Sequence, residues 1–368
     1  MSGYCNYIQY IGVEMVLSGN LCKGRGTTDA PAGRFSTRFT EVQHDGWWQD
    51  VAPSVVTEVR MERSRSIITR NQSPDIGFEQ SINPYRGCEH GCIYCYARPS
   101  HAYWDMSPGL DFETRLIARE NAASLLASEL ARPGYQCKPI NLGANTDPYQ
   151  PIERVHRLTR QCLEVLLRFR HPVTIVTKSA LILRDLDLLA ELAQERLVRV
   201  MVSLTTLDDE LKRRLEPRTA SGAARLRAVR QLSERGIPVG VLLAPMIPAI
   251  NDAELETLVE EAASAGASSA HYILLRLPGE VGSLFDGWLQ EHYPLRAEHV
   301  LSLIRQCRGG ALNDSGFGSR FRGQGPYADL LEQRFRIATK RAGLASRAAL
   351  EPLDCSAFSP PGEQLGLF

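Results

Sequence analysis

Three cysteines within eight residues constrain this chain more than any other feature. Cys88, Cys92 and Cys95 stand as C-x3-C-x2-C inside the stretch SINPYRGCEHGCIYCYARP, residues 81–99. Thiolates this close on one tight loop can hold three corners of an iron–sulfur cube, and without a fourth cysteine in the loop one iron is left open to a small ligand. Two readings compete with this. Three buried structural cysteines could share a loop by chance, and a Cys3His zinc site could use His90, which lies inside the array. Structural zinc loops usually supply their ligands as two separated pairs, and no second C-x2-C or H-x3-H follows here. His90 is also too near Cys88 and Cys92 in sequence for easy tetrahedral closure. The cube is the favoured reading, with His90 supporting the loop or facing solvent.

The rest of the chain has to house that loop. At 368 residues it is long enough for one large domain with additions, or for two modest ones. A hydrophobic content of 43% with 23% charged residues suits a globular enzyme and argues against a disordered chain. The formal net charge is +0, so any attraction to nucleic acid or anionic lipid must be local. The remaining six of the nine cysteines (Cys5, Cys22, Cys137, Cys162, Cys307, Cys355) are scattered without pairing motifs, which argues against a disulfide framework or a second cluster. With no secretory leader and no run of about eighteen apolar residues, the expected location is a reducing cytoplasm. Met15 is an alternative start to Met1, and the residues before it carry no assignable pattern.

Periodicity divides the chain in three. Residues 1–54 read as a weakly structured N-terminal arm, rich in Gly, Arg, Thr and Pro over Leu21–Thr40. In it Arg25, Arg34 and Arg38 either reach for phosphate or lie solvated, and Trp47 and Trp48 serve to dock the arm. Val55–Thr69 predicts one or two strands leading into the cysteine loop, and Phe112–Ala131 predicts a helix. After these, short apolar strands alternate with amphipathic helices: strands at 139–143, 172–177, 198–204, 239–244 and 270–275, helices at 157–168, 181–196, 223–235, 252–265 and within 295–305. Counting a strand just before Cys88, about six βα units result, short of the eight of a full TIM barrel. The fold class expected over residues 55–305 is therefore α/β, a partial (β/α)6 TIM-like barrel, with residues 306–368 as a C-terminal extension.

Chemistry in parallel α/β folds gathers where strands hand over to the following loops. Those positions form a polar set: Cys88; Ala144, Asn145, Thr146 and Asp147; Lys178 and Ser179; Ser203, Thr205 and Thr206; Pro245 and Met246; Arg276. Taken singly, Asn145 and Asp147 could be turn formers before Pro148, and Ser203 a capping hydroxyl. As a set they suggest a ligand pocket, with Asn145, Asp147 and Tyr149 as candidate catalytic groups.

The cysteine array with Tyr94 before its last thiol resembles the radical S-adenosylmethionine (radical SAM) superfamily. NPYRGCEHGCIYCYAR, the ANTD turn, VTKS, VSLTT and LEPRTASGAARL extend the resemblance, over roughly Asn83–Arg276, to its spore photoproduct lyase-like branch. The resemblance implies a [4Fe–4S] cluster on Cys88, Cys92 and Cys95, and S-adenosylmethionine (SAM) on the open iron. It also implies reductive cleavage of SAM to a 5′-deoxyadenosyl radical, and reduced flavodoxin or ferredoxin as electron donor. It places Tyr94 and the backbone around Tyr96 against adenine, and Gly143–Asn145 at the methionine amino group. By similarity, Lys178 meets the carboxylate and Ser203 the ribose or carboxylate. Glu216 and Arg218 could clamp the cofactor as a charged pair or simply form a surface ion pair. One departure matters: photoproduct lyases carry a hydrogen-donating cysteine in the second-strand turn, where this chain has Ala144 and Asn145. The substrate therefore stays open between nucleic acid and a peptide or small metabolite, with a non-catalytic Fe–S or zinc module as a third possibility. The extension bears on this, because Arg320, Arg322, Arg334, Arg336, Lys340 and Arg341 alternate with Phe317, Phe321 and Tyr327. They either stack and pair with a nucleic acid strand or form a loop and helix closing the barrel.

Overall fold

The computed structural model describes residues 24–27, 29–35, 55–345 and 350–360. Cys5, Cys22, Arg38, Trp47, Trp48 and both candidate start methionines lie outside the described residues. Ten strands are described: β1 (Glu58–Glu62), β2 (Ile68–Arg70), β3 (Gln80–Ile82), β4 (Tyr85–Arg86), β5 (Arg115–Arg119), β6 (Ile140–Leu142), β7 (Val173–Thr177), β8 (Val198–Ser203), β9 (Val239–Met246) and β10 (Ser269–Leu274).

The main sheet runs in the order β10-β9-β8-β7-β6-β3-β2. Its six strands β3 and β6–β10 are parallel, and β2 pairs antiparallel on the edge. β10 and β2 end the sheet at opposite edges, so the barrel is open, with six βα units as the periodicity predicts. The helix-facing side of its strands is β-branched and aliphatic: Leu142, Ile175, Val200, Val202, Val241 and Leu243 join one core with the inner stripes of the helices, while the opposite face carries Asn141, Thr174, Arg199 and His271. The helix Leu158–Arg168, for example, buries Leu158, Cys162, Leu163, Val165 and Leu166.

Two expectations need correction. No continuous helix covers Phe112–Ala131. A single turn, Asp111–Thr114, gives way to β5, and the helix proper is Ala122–Leu130. β5 forms because it has partners: β1 lies parallel on one side and β4 antiparallel on the other, in a second, three-stranded sheet. Leu116, Ile117 and Ala118 are buried there, a tertiary demand that overrides local helical spacing. The first barrel strand also ends at Ile82 rather than at Cys88. Pro84, which has no N–H to donate, separates β3 from the two-residue β4, and the chain switches sheets at that point. A helix at Val281–His292, not expected from the sequence, packs Phe285, Trp288 and Leu289 against the cysteine loop's own apolar cluster.

Candidate cofactor site at the barrel mouth

The cysteine loop is held by its backbone. Cys88 N donates to Phe112 O (2.9 Å), Ile93 N to Leu215 O (3.1 Å) and Cys95 N to Cys92 O (3.2 Å). Gln150 clips both sides of the first turn, accepting from Glu89 N (2.8 Å) and donating to Gly87 O (3.1 Å). Gly91 turns the loop at φ +68°, and a Cβ there would fall 2.5 Å from Glu113 Oε2, so glycine is required on both counts. Behind the loop, the fully buried Arg98 donates from Nε to Cys92 O (2.9 Å) and pairs through its guanidinium with the fully buried Glu113. Residues 24–27 and 29–33 cover this back side. Gly26 N donates to Glu113 Oε2 (2.8 Å), and a Cβ on Gly26 would meet Gly91 O at 1.6 Å. Arg25 binds Glu113 O, Val55 O and Thr57 Oγ1, and Arg34 binds Glu280. These two arginines dock the arm within the protein instead of reaching outward.

Cys88, Cys92 and Cys95 are free thiols, the first two buried and the third partly so. Burial pushes the Cys88 and Cys92 thiols up, and their mutual proximity adds to the effect at Cys88. Among the described residues no three His, Cys, Asp or Glu side chains are drawn together as ligands of a single metal ion. His90 Nδ1 lies 3.3 Å from Asp147 Oδ2, so the ring is held beside the turn after β6.

The other site candidates fall into three groups. Glu216 and Arg218 do not pair with each other. Arg218 binds Glu89 at 2.5 Å, beside the loop. Glu216, fully buried, accepts from the Tyr94 hydroxyl, from Thr205 Oγ1 (2.7 Å), from Thr219 Oγ1 (3.3 Å) and from the Arg225 guanidinium. Burial alone would raise its carboxyl; Arg225, Lys178 and the Tyr94 hydrogen bond outweigh burial and hold it down at about 2. Arg225 in turn binds Ser203 O (3.0 Å) and Ala220 O (2.9 Å), tying the ends of β8 and its helix to Tyr94. Arg225 was not singled out from the sequence, yet a signal exists. It occupies the buried face of the helix Gly222–Glu234 with Ala228, Val229 and Leu232, a charge on an apolar stripe.

Asp147 is equally committed. Its carboxylate accepts from Tyr149 N (2.9 Å), Thr177 Oγ1 (2.7 Å) and Lys178 N (2.7 Å). Against burial, which raises it, His90 and these donors hold it at about 2, an anion that fixes the turn between β6 and β7. Tyr149 is fully buried, with Arg184 6.0 Å from its ring centroid. Asn145 meets Asn83 and Ser100 through its backbone N–H (3.0 Å) and its side chain (3.3 Å).

Lys178, Tyr96 and Arg276 converge at the mouth. Lys178 Nζ lies 5.9 Å from the Tyr94 ring centroid and has no hydrogen-bond acceptor among the described residues. Burial lowers its ammonium, but the Cys92 sulfur and Glu216 raise it further. Arg276, just beyond β10, is sandwiched between the rings of Tyr96 (5.0 Å) and Phe321 (5.3 Å), and its guanidinium likewise finds no acceptor among the described residues. The segment carrying Phe321 belongs to the extension. Arg320 stacks on Phe317 (5.1 Å) and Phe321 (4.8 Å) and forks onto Asp75 in the β2–β3 hairpin (2.8 and 2.5 Å). It thereby bridges the gap between the two sheet edges. Arg322 pairs with Glu332 and Arg334 with Glu256, while Arg336, Lys340 and Arg341 stay exposed on the helix Pro326–Arg341.

Comparison with known proteins now fixes the lineage. The sequence model of the Radical SAM superfamily matches residues 82–262. An uncharacterized protein of Mycobacterium bovis is 35% identical over 292 residues, 76% of this chain and 82% of that protein. One from Methanocaldococcus jannaschii is 30% identical over 178 residues, 48% of this chain and 64% of that protein. This chain belongs to the radical SAM superfamily. Its fold is similar to that of spore photoproduct lyase complexed with dinucleoside spore photoproduct, at TM-score 0.55 and 18% identity over 78% of this chain and 80% of that one. A double mutant of the same lyase with bound AdoMet and dinucleoside spore photoproduct superposes at TM-score 0.54, 17% identity and the same coverage. The superfamily uses a [4Fe–4S] cluster and SAM, and the residues here suit both. Three unpaired thiols share one loop whose back is closed by neutralised ion pairs, and among the described residues the Lys178 ammonium, near Cys92, makes no salt bridge. Among the described residues no helix is long and apolar enough to cross a membrane.

Proposed function

We propose that this protein is a radical SAM enzyme acting on a nucleotide unit of a nucleic acid. Cys88, Cys92 and Cys95 would hold the cluster, with Tyr94, Tyr96, Asn145, Lys178 and Ser203 around SAM. Bound there, cluster and SAM would supply radical chemistry for hydrogen abstraction. The protein's own part is positional. Glu216 and Arg225 lock Tyr94 into the loop, Asp147 locks the turn leading to Lys178, and the Phe317–Arg322 segment screens the mouth from water. Arg218, bound to Glu89, stands outside this set.

The substrate reading rests on Arg276. A guanidinium stacked between two rings, with its donors free, suits a phosphate beside a flat base. Its neighbour Tyr96 is half exposed and offers that base a surface. Anaerobic reconstitution with dithionite, SAM and an oligonucleotide should release 5′-deoxyadenosine. Arg276→Ala should raise KM for the oligonucleotide about tenfold or more while substrate-free 5′-deoxyadenosine release persists. An unchanged KM would refute the role of Arg276, and no 5′-deoxyadenosine from well-loaded protein would refute the enzyme. A second reading, a small anionic metabolite, is favoured by the acid partners of Arg320, Arg322 and Arg334, which leave no long basic groove among the described residues. Oligonucleotide binding whose salt slope is no steeper than that of a single phosphate contact would select it.

A further inference from the structure

Along the rim of the mouth, rings and guanidiniums alternate in a single stack. The Arg276 guanidinium lies 5.0 Å from the centroid of Tyr96, the residue after the last cysteine of the loop, and 5.3 Å from that of Phe321. The Arg320 guanidinium lies 4.8 Å from Phe321 and 5.1 Å from Phe317. Groups from three separate parts of the chain thus form one ladder, and its end rings are open, Tyr96 at 46% and Phe317 at 63% exposure. Its two cations differ in one respect. Arg276 has no hydrogen-bond acceptor among the described residues, whereas Arg320 already holds an oxyanion. Arg320 Nε and Nη2 donate to the two oxygens of Asp75 (2.8 and 2.5 Å), and Gly318 N donates to Asp75 Oδ2 (3.2 Å). A planar fork with a backbone N–H beside it is a cradle for a carboxylate or a phosphate alike. Asp75 reaches this cradle from the hairpin between β2 and β3, at the far edge of the sheet. The strap Phe317–Arg322 has a second anchor, because the buried Arg308 donates to Arg320 O (2.9 Å) and to Leu274 O at the end of β10 (2.7 Å).

We propose that this ladder is a rail for a single nucleic acid strand, and that Arg320 is a second phosphate site, which Asp75 fills until a phosphate of the strand takes its place. The inference rests on the nucleic acid reading given above and extends it from one phosphate contact to two. Both guanidiniums flank the same ring, close enough for neighbouring phosphates of one strand. The exchange trades one singly charged oxyanion for another on the same donors, so Arg320 is never left without a counter-charge and Asp75 returns to water. Arg308 keeps the strap attached to β10 when Asp75 lets go. The open faces of Tyr96 and Phe317, at the two ends of the rail, are left for bases to stack on.

The test uses full-length, reconstituted protein and a fluorescent single-stranded DNA of about ten nucleotides, with binding followed by anisotropy across a salt series. Asp75→Asn removes the competing charge and should tighten binding about threefold or more at low salt. Arg320→Ala should flatten the fall of log affinity with log salt by about 0.7, the share of one single-strand phosphate. A purely structural role for Arg320 would shift the affinity and leave that slope unchanged. The two variants read the same exchange from opposite partners, so either one decides the matter if the other fails to fold. Binding that is unchanged or weaker in Asp75→Asn, or an unchanged slope in Arg320→Ala, overturns the proposal. If wild-type binding is nonetheless present and weakened by Arg276→Ala, the nucleic acid reading stands without the rail. No binding by the wild type at low salt overturns both.

Discussion

Replacing Glu216 by Gln tests the polar lock beneath Tyr94. The carboxylate sits at zero exposure with four donors, one of them the guanidinium of a residue as buried as itself. Its carboxyl is held at about 2 against an ordinary 4.5, a difference that corresponds to about 3 kcal/mol of folded-state stability. Removing one partner of a buried ion pair costs about 3–5 kcal/mol, because Arg225 is left charged and dry, so the two routes agree. The sign follows from the depressed folded value: the contribution is complete above pH 4.5 and is lost as pH falls toward 2. Urea unfolding followed by circular dichroism should show Glu216→Gln weaker by about 3 kcal/mol at pH 7, a midpoint shift of about 1 M. The gap to wild type should narrow between about pH 4.5 and 2. A difference under about 1 kcal/mol at pH 7, or a gap independent of pH, would refute the view that this pair stabilises the fold.

Two further expectations concern the loop and the strap. Cys92→Ala should abolish the visible absorbance of the reconstituted cluster and most of the bound iron while leaving the far-ultraviolet spectrum intact; a triple cysteine variant that still bound iron stoichiometrically would overturn the ligand assignment. Arg320→Ala removes a two-pronged bond to Asp75 and two ring contacts, at a cost of about 1–3 kcal/mol to the strap alone. Limited trypsin digestion should then cut after Arg322 several times faster while the barrel core survives, and an unchanged cleavage rate would show that Asp75 does not hold the segment.

The alternation of strand and helix carries enough information to count six barrel units, because each short strand buries an apolar face and each helix shows one apolar stripe. The same logic fails at Arg115–Arg119, where helical spacing is overruled by β1 and β4, and no local rule reveals a partner strand more than fifty residues upstream. The mouth residues were legible as positions but not as partners. Glu216 and Arg218 look like a pair in sequence and belong to different networks, since the turn between them points one inward to Arg225 and the other outward to Glu89. Arg320 shows the reverse: a residue that reads equally well as a phosphate ligand or as a closing contact finds Asp75, 245 residues away.

The seal over the outer flank of the cysteine loop comes from Arg25, Gly26 and Thr57, all of which precede the segment 82–262 that defines the superfamily. How dry that flank is, and how many peptide dipoles face the sulfurs, sets the electron affinity of whatever the loop grips. Two proteins with letter-for-letter identical cysteine loops but different upstream chains would thus demand reductants of different strength.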